Sequence, residues 1–243
     1  MAKINVLDRQ VAELIAAGEV VERPASIVKE LVENAVDAGA TKITVEIQGG
    51  GVRYIRVTDN GSGILREDVK NAFLRHATSK VRVQEELGHI ATMGFRGEAL
   101  ASIAAMCRVE MLTRTADEIA GTRYTIAGGE PGELADAGCP VGTTISVRDV
   151  FYNTPARMKF LKKDLSEGNS VAAVVEKEAL ANPQISFKFI RDGAVRLQTP
   201  GGGQLAAAAR WVLGREFAEQ TIPVSYELEG LALEGLISRP SFA

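Results

Sequence analysis

Three carboxylates and one amide are the first residues whose spacing suggests chemistry. Glu30 lies three and four residues before Glu33 and Asn34, and Asp37 lies four and three residues after them, which places all four on one face of a predicted helix. An ordinary solvent-exposed acidic face has the same spacing. Oxygen ligands of these types also suit Mg²⁺, and a carboxylate beside them could orient an attacking water. The spacing leaves both interpretations open, and it does not separate Glu30 from Glu33 as the base.

A second group of residues could hold a base with an exocyclic amine. The sequence DNGSG at 59–63 follows a β-branched run, so Asp59 would sit at a strand end, where its carboxylate could accept a hydrogen bond. The glycines Gly61 and Gly63 would let a ligand approach the backbone, although the same composition is common in plain turns. Thr143 opens a later strand and could bring a hydroxyl beside the same base.

A third group suits phosphate. In GFRGEAL at 94–100, glycines come directly before a predicted helix, so backbone N–H groups and a helix N-terminus could face phosphate oxygens. The preceding RHATSK adds the hydroxyls of Thr78 and Ser79 and the charge of Lys80. Neither GxxxxGK[ST] nor GxGxxG occurs, which excludes a P-loop or Rossmann site. Residues 75–97 have the length and polarity of a mobile lid.

The elements that must position these groups begin with two helices and a hairpin. Asp8 can cap a helix that runs through Ala17 and is closed by Gly18, and Pro24 can open a second helix that carries the acidic face. The alternating runs 41–47 and 52–58, joined by three glycines, predict a β-hairpin.

The rest of the chain predicts an α/β fold with a mixed, largely antiparallel sheet, because its strands follow one another. We expect a helix at 98–105, strands at 108–113, 122–126 and 143–150, a helical stretch at 159–181 interrupted near Gly168, and a hairpin after Pro183. The linker composition at 199–203 predicts that a first domain ends at 203. Residues 204–243, with one helix and two strands, would begin a second α/β domain.

Composition excludes several classes of protein. With 46% hydrophobic residues the chain can bury a core, and no apolar run is long enough to span a membrane. Two cysteines and two histidines without zinc-ligand spacing argue against a disulfide framework or a zinc site. A net charge of −3 argues against a surface that is basic all over. A local basic strip remains, either a solvated helix face or a DNA contact: Arg148, Arg157, Lys159, Lys162 and Lys163.

The motifs in this order resemble those of the ATPase superfamily that includes gyrase, a heat-shock chaperone, histidine kinases and MutL. Within it, GFRGEAL resembles the signature of the MutL mismatch-repair family, and the blocks at 15–40, 59–64, 75–80 and 151–157 resemble that family's flanking sequences. The resemblance covers most of residues 4–165. It implies a Bergerat-type fold, with helices on one face of the sheet and the nucleotide between them and a lid.

The resemblance also implies a role for each matching residue. Glu30 would be the general base, Asn34 the ligand of Mg²⁺, and Asp59 the carboxylate that binds adenine. The remaining nucleotide-binding positions would be Asp37, Gly63, Thr78, Ser79, Lys80, Gly94, Phe95, Arg96, Gly97, Glu98, Ala99, Leu100 and Thr143.

The function implied is that of a slow, Mg²⁺-dependent ATPase switch in DNA mismatch repair. ATP binding would join two such domains in a homodimer. Its partners would be DNA, bound weakly and with little sequence preference, a MutS-type mismatch-recognition protein and downstream repair enzymes. The expected compartment is the cytoplasm of a bacterium, or the nucleus of a eukaryote.

Three other interpretations share part of this pattern. A chaperone-like ATPase would need a client-binding region, a histidine kinase would need a phosphoacceptor helix, and a DNA-binding module could carry a vestigial pocket. Family members usually supply a lysine to the γ-phosphate from the second domain. We expect that lysine to lie beyond residue 243, so that hydrolysis by these residues alone is weak.

Overall fold

Two helices open the fold of the computed structural model, which describes residues 5–6, 8–80, 92–94 and 97–242. Helix α1 (Arg9–Val20) is followed by α2 (Pro24–Asp37), whose first residue is the proline that was expected to open it. The prediction that Gly18 ends α1 is wrong, because the helix continues for two more residues. A Cβ at Gly18 would overlap the guanidinium of Arg157, so this glycine makes room for a neighbour and does not stop the helix.

Eight strands form one twisted layer. They are β1 (Lys42–Gln48), β2 (Tyr54–Asp59), β3 (Arg108–Arg114), β4 (Gly121–Ala127), β5 (Glu130–Ala137), β6 (Gly142–Arg148), β7 (Ser186–Arg191) and β8 (Ala194–Gln198). Their order in the sheet is β5-β4-β3-β6-β2-β1-β7-β8. The pair β1–β7 is parallel and the other neighbours are antiparallel, which confirms the predicted mixed, largely antiparallel sheet.

The sheet buries one face beneath helices. Helices α2, α3 (Ala99–Met106) and α5 (Asp164–Ala181) pack against strands. Alternate residues of the strands point to them, so that Ile43, Val45 and Ile47 of β1 are buried while Thr44 and Glu46 are half-exposed. The predicted alternation therefore reports the buried face correctly. Strand β5 was not predicted, because its sequence EPGELADA lies at the sheet edge and lacks an alternating apolar pattern.

The predicted interruption of the helical stretch 159–181 near Gly168 is wrong. A short helix α4 (Pro155–Met158) ends before residue 159, and α5 then runs without a break through Gly168. A Cβ at Gly168 would meet the guanidinium of Arg191, which donates hydrogen bonds to the Leu165 carbonyl and the Asn169 side chain. Gly168 thus admits an arginine from β7 against the helix.

The C-terminal part contains α6 (Leu205–Val212), α7 (Arg215–Glu219), β9 (Thr221–Leu228) and β10 (Leu231–Ser238). Helix α6 packs against α5 and β8, whereas β9 and β10 pair with each other in a separate two-stranded sheet. The domain boundary at 203 stays a prediction. In the described part of the chain, no helix combines the length and hydropathy needed to cross a bilayer.

Candidate functional site

A cavity of about 1740 Å³ lies between the helical layer and the sheet. The described candidate residues from all three groups line it: Glu30, Asn34, Asp37, Asp59, Gly63, Thr78, Ser79, Lys80, Gly94, Gly97, Glu98, Ala99, Leu100 and Thr143. Phe95 and Arg96, and part of the expected lid, lie outside the described residues. Tertiary structure therefore brings together segments that are more than 100 residues apart in the sequence.

Asp59 marks one end of the cavity. Its Oδ1 accepts hydrogen bonds from the backbone N–H groups of Gly61, at 2.8 Å, and Thr143, at 3.2 Å. Burial raises the pKa of this carboxyl, and the two N–H donors only partly offset that effect. Because both bonds go to Oδ1, Oδ2 could accept a hydrogen bond from a further donor.

Thr113 supports the same end and was missed by the sequence analysis. It is fully buried, and its Oγ1 lies 3.0 Å from Thr143 Oγ1 and accepts a hydrogen bond from Ile64 N–H at 2.9 Å. Thr113 thus joins the loop after Asp59 to the start of β6. A threonine within an alternating strand carries no signal of this role.

A cation-binding pair of oxygens lies on α2. The ammonium of Lys80 donates a hydrogen bond to Asn34 Oδ1 at 3.0 Å and another to Asp37 Oδ2. Asp37 also accepts the N–H groups of Met93, at 3.0 Å, and Gly94, at 3.2 Å. Burial opposes ionisation of Asp37, but the bonds from Lys80 and these N–H groups outweigh it and lower its pKa. Asn34 and Asp37 therefore hold a positive charge between them.

The two candidate bases differ in their surroundings. Glu33 is 8% exposed and forms an ion pair with Lys29 at 2.7 Å. Glu178 of α5 is close enough for burial and the Glu33 charge to raise its pKa. Glu33 is therefore paired within α2. Glu30 is half-buried, and both carboxylates line the cavity, so position alone does not separate them.

The residues that were expected to bind phosphate lie near the start of α3. Gly97 has a φ of +64°, and a Cβ there would approach the carbonyl oxygen of Ala77 to 2.6 Å, so the chain needs glycine at this crossing. Nearby, Thr78 Oγ1 accepts the Lys80 N–H at 3.1 Å. Helix α3 begins two residues after Gly97, and Ala99 and Leu100 of its first turn line the cavity, which places a helix N-terminus beside it.

Comparisons with known proteins agree with one another. Residues 22–127 match the family described as Histidine kinase-, DNA gyrase B-, and HSP90-like ATPase. The chain is 50% identical to the DNA mismatch repair protein MutL of Agathobacter rectalis, covering 99% of this chain and 37% of that protein. It is 49% identical to the MutL protein of Symbiobacterium thermophilum, covering 100% of this chain and 38% of that protein.

Solved structures extend the likeness to three dimensions. The Aquifex aeolicus MutL ATPase domain complexed with ADP superimposes with a TM-score of 0.74 and 33% identity, over 90% of this chain and 78% of that one. The chain spans less than two fifths of the length of the two curated relatives.

Proposed function

The chain belongs to the MutL family of DNA mismatch repair proteins, and from that premise we propose that it is a slow ATPase switch of mismatch repair. The Bergerat-type fold is confirmed by the family match and the structural likeness. The observation that carries the proposal is the single cavity in which Glu30, Asn34 and Asp59 meet the first turn of α3. An acceptor, an oxygen ligand, a base and a phosphate-binding helix terminus are the parts that ATP hydrolysis needs.

Asp59 and Thr143 form the adenine end in this proposal. Asp59 Oδ2 accepts the exocyclic amine of adenine, since its other oxygen is already held by two backbone N–H groups. The positive φ of Gly63, +73°, keeps the loop close to the backbone carbonyl of Arg114 and leaves the cavity wall free of a side chain. A base without that amine would leave a buried carboxylate unpaired, which selects for adenine.

The oxygens on α2 fit the Mg²⁺ that such a reaction uses. Asn34 Oδ1 and Asp37 Oδ2 already bind the Lys80 ammonium together, so the arrangement favours a cation. Asn34 would be the direct ligand with Asp37 beside it, and the Lys80 ammonium would then leave these oxygens for phosphate. No cluster of three His, Cys, Asp or Glu ligands occurs among the described residues, which suits an ion that takes most of its ligands from water and phosphate. Bound there, Mg²⁺ would neutralise phosphate charge.

Glu30 acts as the base that orients the attacking water. Its assignment follows the register of the family motif, and its side chain lies in the cavity wall. The hydroxyls of Thr78 and Ser79, the ammonium of Lys80 and the N–H groups from Gly97 to Leu100 hold the triphosphate, and Gly94, whose N–H is bound to Asp37, lines the cavity beside them. Positioning and electrostatics therefore supply most of the catalysis, as in other phosphoryl transfers.

In this proposal, the bound nucleotide controls whether two such domains associate. ATP binding brings two such domains together as a homodimer, and hydrolysis separates them. The dimer then binds DNA through phosphate contacts and engages a MutS-type partner and downstream repair enzymes in the cytoplasm or nucleus.

Calorimetry with a non-hydrolysable ATP analogue and Mg²⁺ tests the proposal. We expect the wild type and Glu30→Gln to bind with similar affinity, because Glu30 meets the water and not the nucleotide. Asp59→Asn should lose most of the affinity. If its amide oxygen keeps the two backbone N–H groups, its NH2 group faces the ligand amine, and two donors cannot form a hydrogen bond. Loss of binding in Glu30→Gln, or normal binding in Asp59→Asn, would contradict these assignments.

A further inference from the structure

The segment 149–158, which comprises the connection after β6 together with α4, contains FYNTPAR and has no role in the proposed ATP site. Phe151 is fully buried and has a φ of +65°, a conformation that a bulky side chain rarely adopts. Its N–H donates to the Met106 carbonyl at 3.0 Å, and Asn153 Nδ2 donates to the Ala105 carbonyl at 2.8 Å. Both acceptors belong to the last turn of α3, so the segment holds that end of the helix.

The same segment holds α1 through Arg157. The Nη1 of Arg157 donates to the Gly18 carbonyl at 2.9 Å, and its guanidinium occupies the space that a side chain at position 18 would take. Gly18 lies in the last turn of α1, where the carbonyl ends of the helix carry partial negative charge. A cation at this end is favourable, and glycine is the residue that lets it approach so closely.

Both helices reach the nucleotide cavity at their other surfaces. Helix α1 contributes Ala16, Glu19 and Val20 to the cavity wall, and α3 contributes Ala99 and Leu100. The two helices also pack against each other. Because interiors are close-packed, a shift of α1 would be transmitted to the wall it forms and to α3.

Arg157 differs in its surroundings from the other residues of the basic strip. Arg157 is half-buried, whereas Lys159, Lys162 and Lys163 are exposed. Arg148 lies over the Tyr54 ring at 4.6 Å. The basic strip seen in the sequence therefore does not act as one surface.

We propose that Arg157 is a positioning residue for the nucleotide site, acting through Gly18 and α1. The inference rests on the proposed ATP-binding function and adds to it a residue that does not touch the nucleotide. Its partner at position 18 must be glycine, because the guanidinium fills the place of a Cβ.

The test compares Arg157→Ala, Gly18→Ala, the double variant and Lys159→Ala, which removes a nearby exposed charge. Calorimetry gives the affinity for the ATP analogue, thermal unfolding gives Tm, and hydrogen exchange reports the protection of α1. We expect Arg157→Ala and Gly18→Ala each to weaken analogue binding roughly tenfold and to raise exchange in α1. Lys159→Ala should match the wild type in all three.

The double variant carries the sharpest expectation. Gly18→Ala should lower Tm when Arg157 is present, because the methyl group displaces the guanidinium. In the Arg157→Ala background it should leave Tm unchanged or raise it, because alanine is the better helix former. The losses of affinity should not add, since each variant removes the same contact.

Two results would overturn the inference. If Arg157→Ala raises exchange in α1 but leaves analogue affinity at the wild-type value, the arginine is structural and does not position the site. If the two single variants lose affinity additively, they do not act through one contact. A wild type that fails to bind the analogue would instead refute the proposed function, and the inference with it.

Discussion

At the scale of single residues, the pKa values of two aspartates in one cavity are shifted in opposite directions. Asp59 has a raised pKa because burial outweighs its two N–H donors. Asp37 has a lowered pKa because an ammonium and two N–H groups outweigh burial. The first carboxylate is therefore costly to the folded state when it is charged, and the second stabilises it. Asp59 was proposed to accept a ligand amine, and that role would explain why a carboxylate that lowers stability stands at this position.

Asp59→Asn should stabilise the protein at neutral pH. A carboxyl whose folded pKa is raised favours folding when it is protonated, and that advantage is lost as the pH rises above its ordinary value of 3.8. The amide avoids this loss. Urea unfolding from about pH 3 to pH 7 should show a gain for the variant at the upper end that shrinks as the pH falls. An equal effect at every pH would show that the charge of Asp59 is not the cause.

Asp37→Asn should destabilise the protein at neutral pH. A carboxyl whose folded pKa is lowered stabilises the protein above its ordinary value of 3.8, and loses that contribution as the pH falls through the folded value. The variant should lose about 1–3 kcal/mol of unfolding free energy at pH 7, the usual result of breaking a hydrogen-bonded charged contact. The deficit should disappear in acid. Asp117→Asn, at an exposed site, is the control and should change little.

At the scale of elements, the site depends on where strands end. Strand β2 ends at Asp59 and β6 begins at Gly142, and the two ends lie side by side. Gly142 has a φ of +116°, and a Cβ there would collide with the carbonyl oxygen of Asp59. The N–H of Thr143 reaches Asp59 Oδ1 because no side chain separates the two backbones. The end of the cavity at Asp59 is thus set by backbone approach as much as by side chains.

Gly142→Ala should therefore weaken nucleotide binding, and Gly129→Ala should not. Gly129 also has a positive φ, +83°, but a Cβ there meets nothing within 4 Å. Both variants incur backbone strain of about 1–2 kcal/mol, so both should unfold more easily. Only Gly142→Ala should also lose affinity for the ATP analogue, by roughly tenfold or more, since it displaces Asp59. Equal affinities in calorimetry would count against this account of the strand ends.

At the scale of the whole molecule, the C-terminal residues divide into two kinds. Ala208 and Ala209 of α6 are buried, and α6 packs against α5 and β8. Strands β9 and β10 instead carry exposed apolar side chains, among them Leu231 and Leu233. A two-stranded sheet without further packing is only marginally stable. From this packing we expect α6 to stabilise the first domain, although the boundary at 203 stays a prediction.

Shortening the chain tests this division. A protein that ends at Leu213 should keep its affinity for the ATP analogue and its Tm within a few degrees, because it retains α6. A protein that ends at Gly203 should have a clearly lower Tm, because α5 and β8 lose the apolar cover of α6. If both proteins unfold at the same temperature, α6 contributes nothing to the first domain, and 203 is the better boundary.

Much of this protein follows from local sequence. The acidic face of α2, the hairpin of β1 and β2 and the start of α3 were predicted because each depends on a period of 3.6 or 2 within one segment, or on a glycine or proline beside it. The resemblance carried by the motif order also predicted the family, and the described residues that it singled out line the cavity. Phe95 and Arg96 lie outside the described residues, and their roles stay predictions.

What only the tertiary structure decided depends on residues far apart in the chain. Gly18 and Gly168 were taken for points at which helices end or break, yet each makes room for an arginine, Arg157 and Arg191, from another element. The closeness of Glu33 to Glu178 of α5 likewise depends on packing, while Glu30 as the base stays a prediction. Local sequence reports the conformations a backbone can adopt, whereas the neighbour that fills a space or pairs a charge is set by packing across the whole fold.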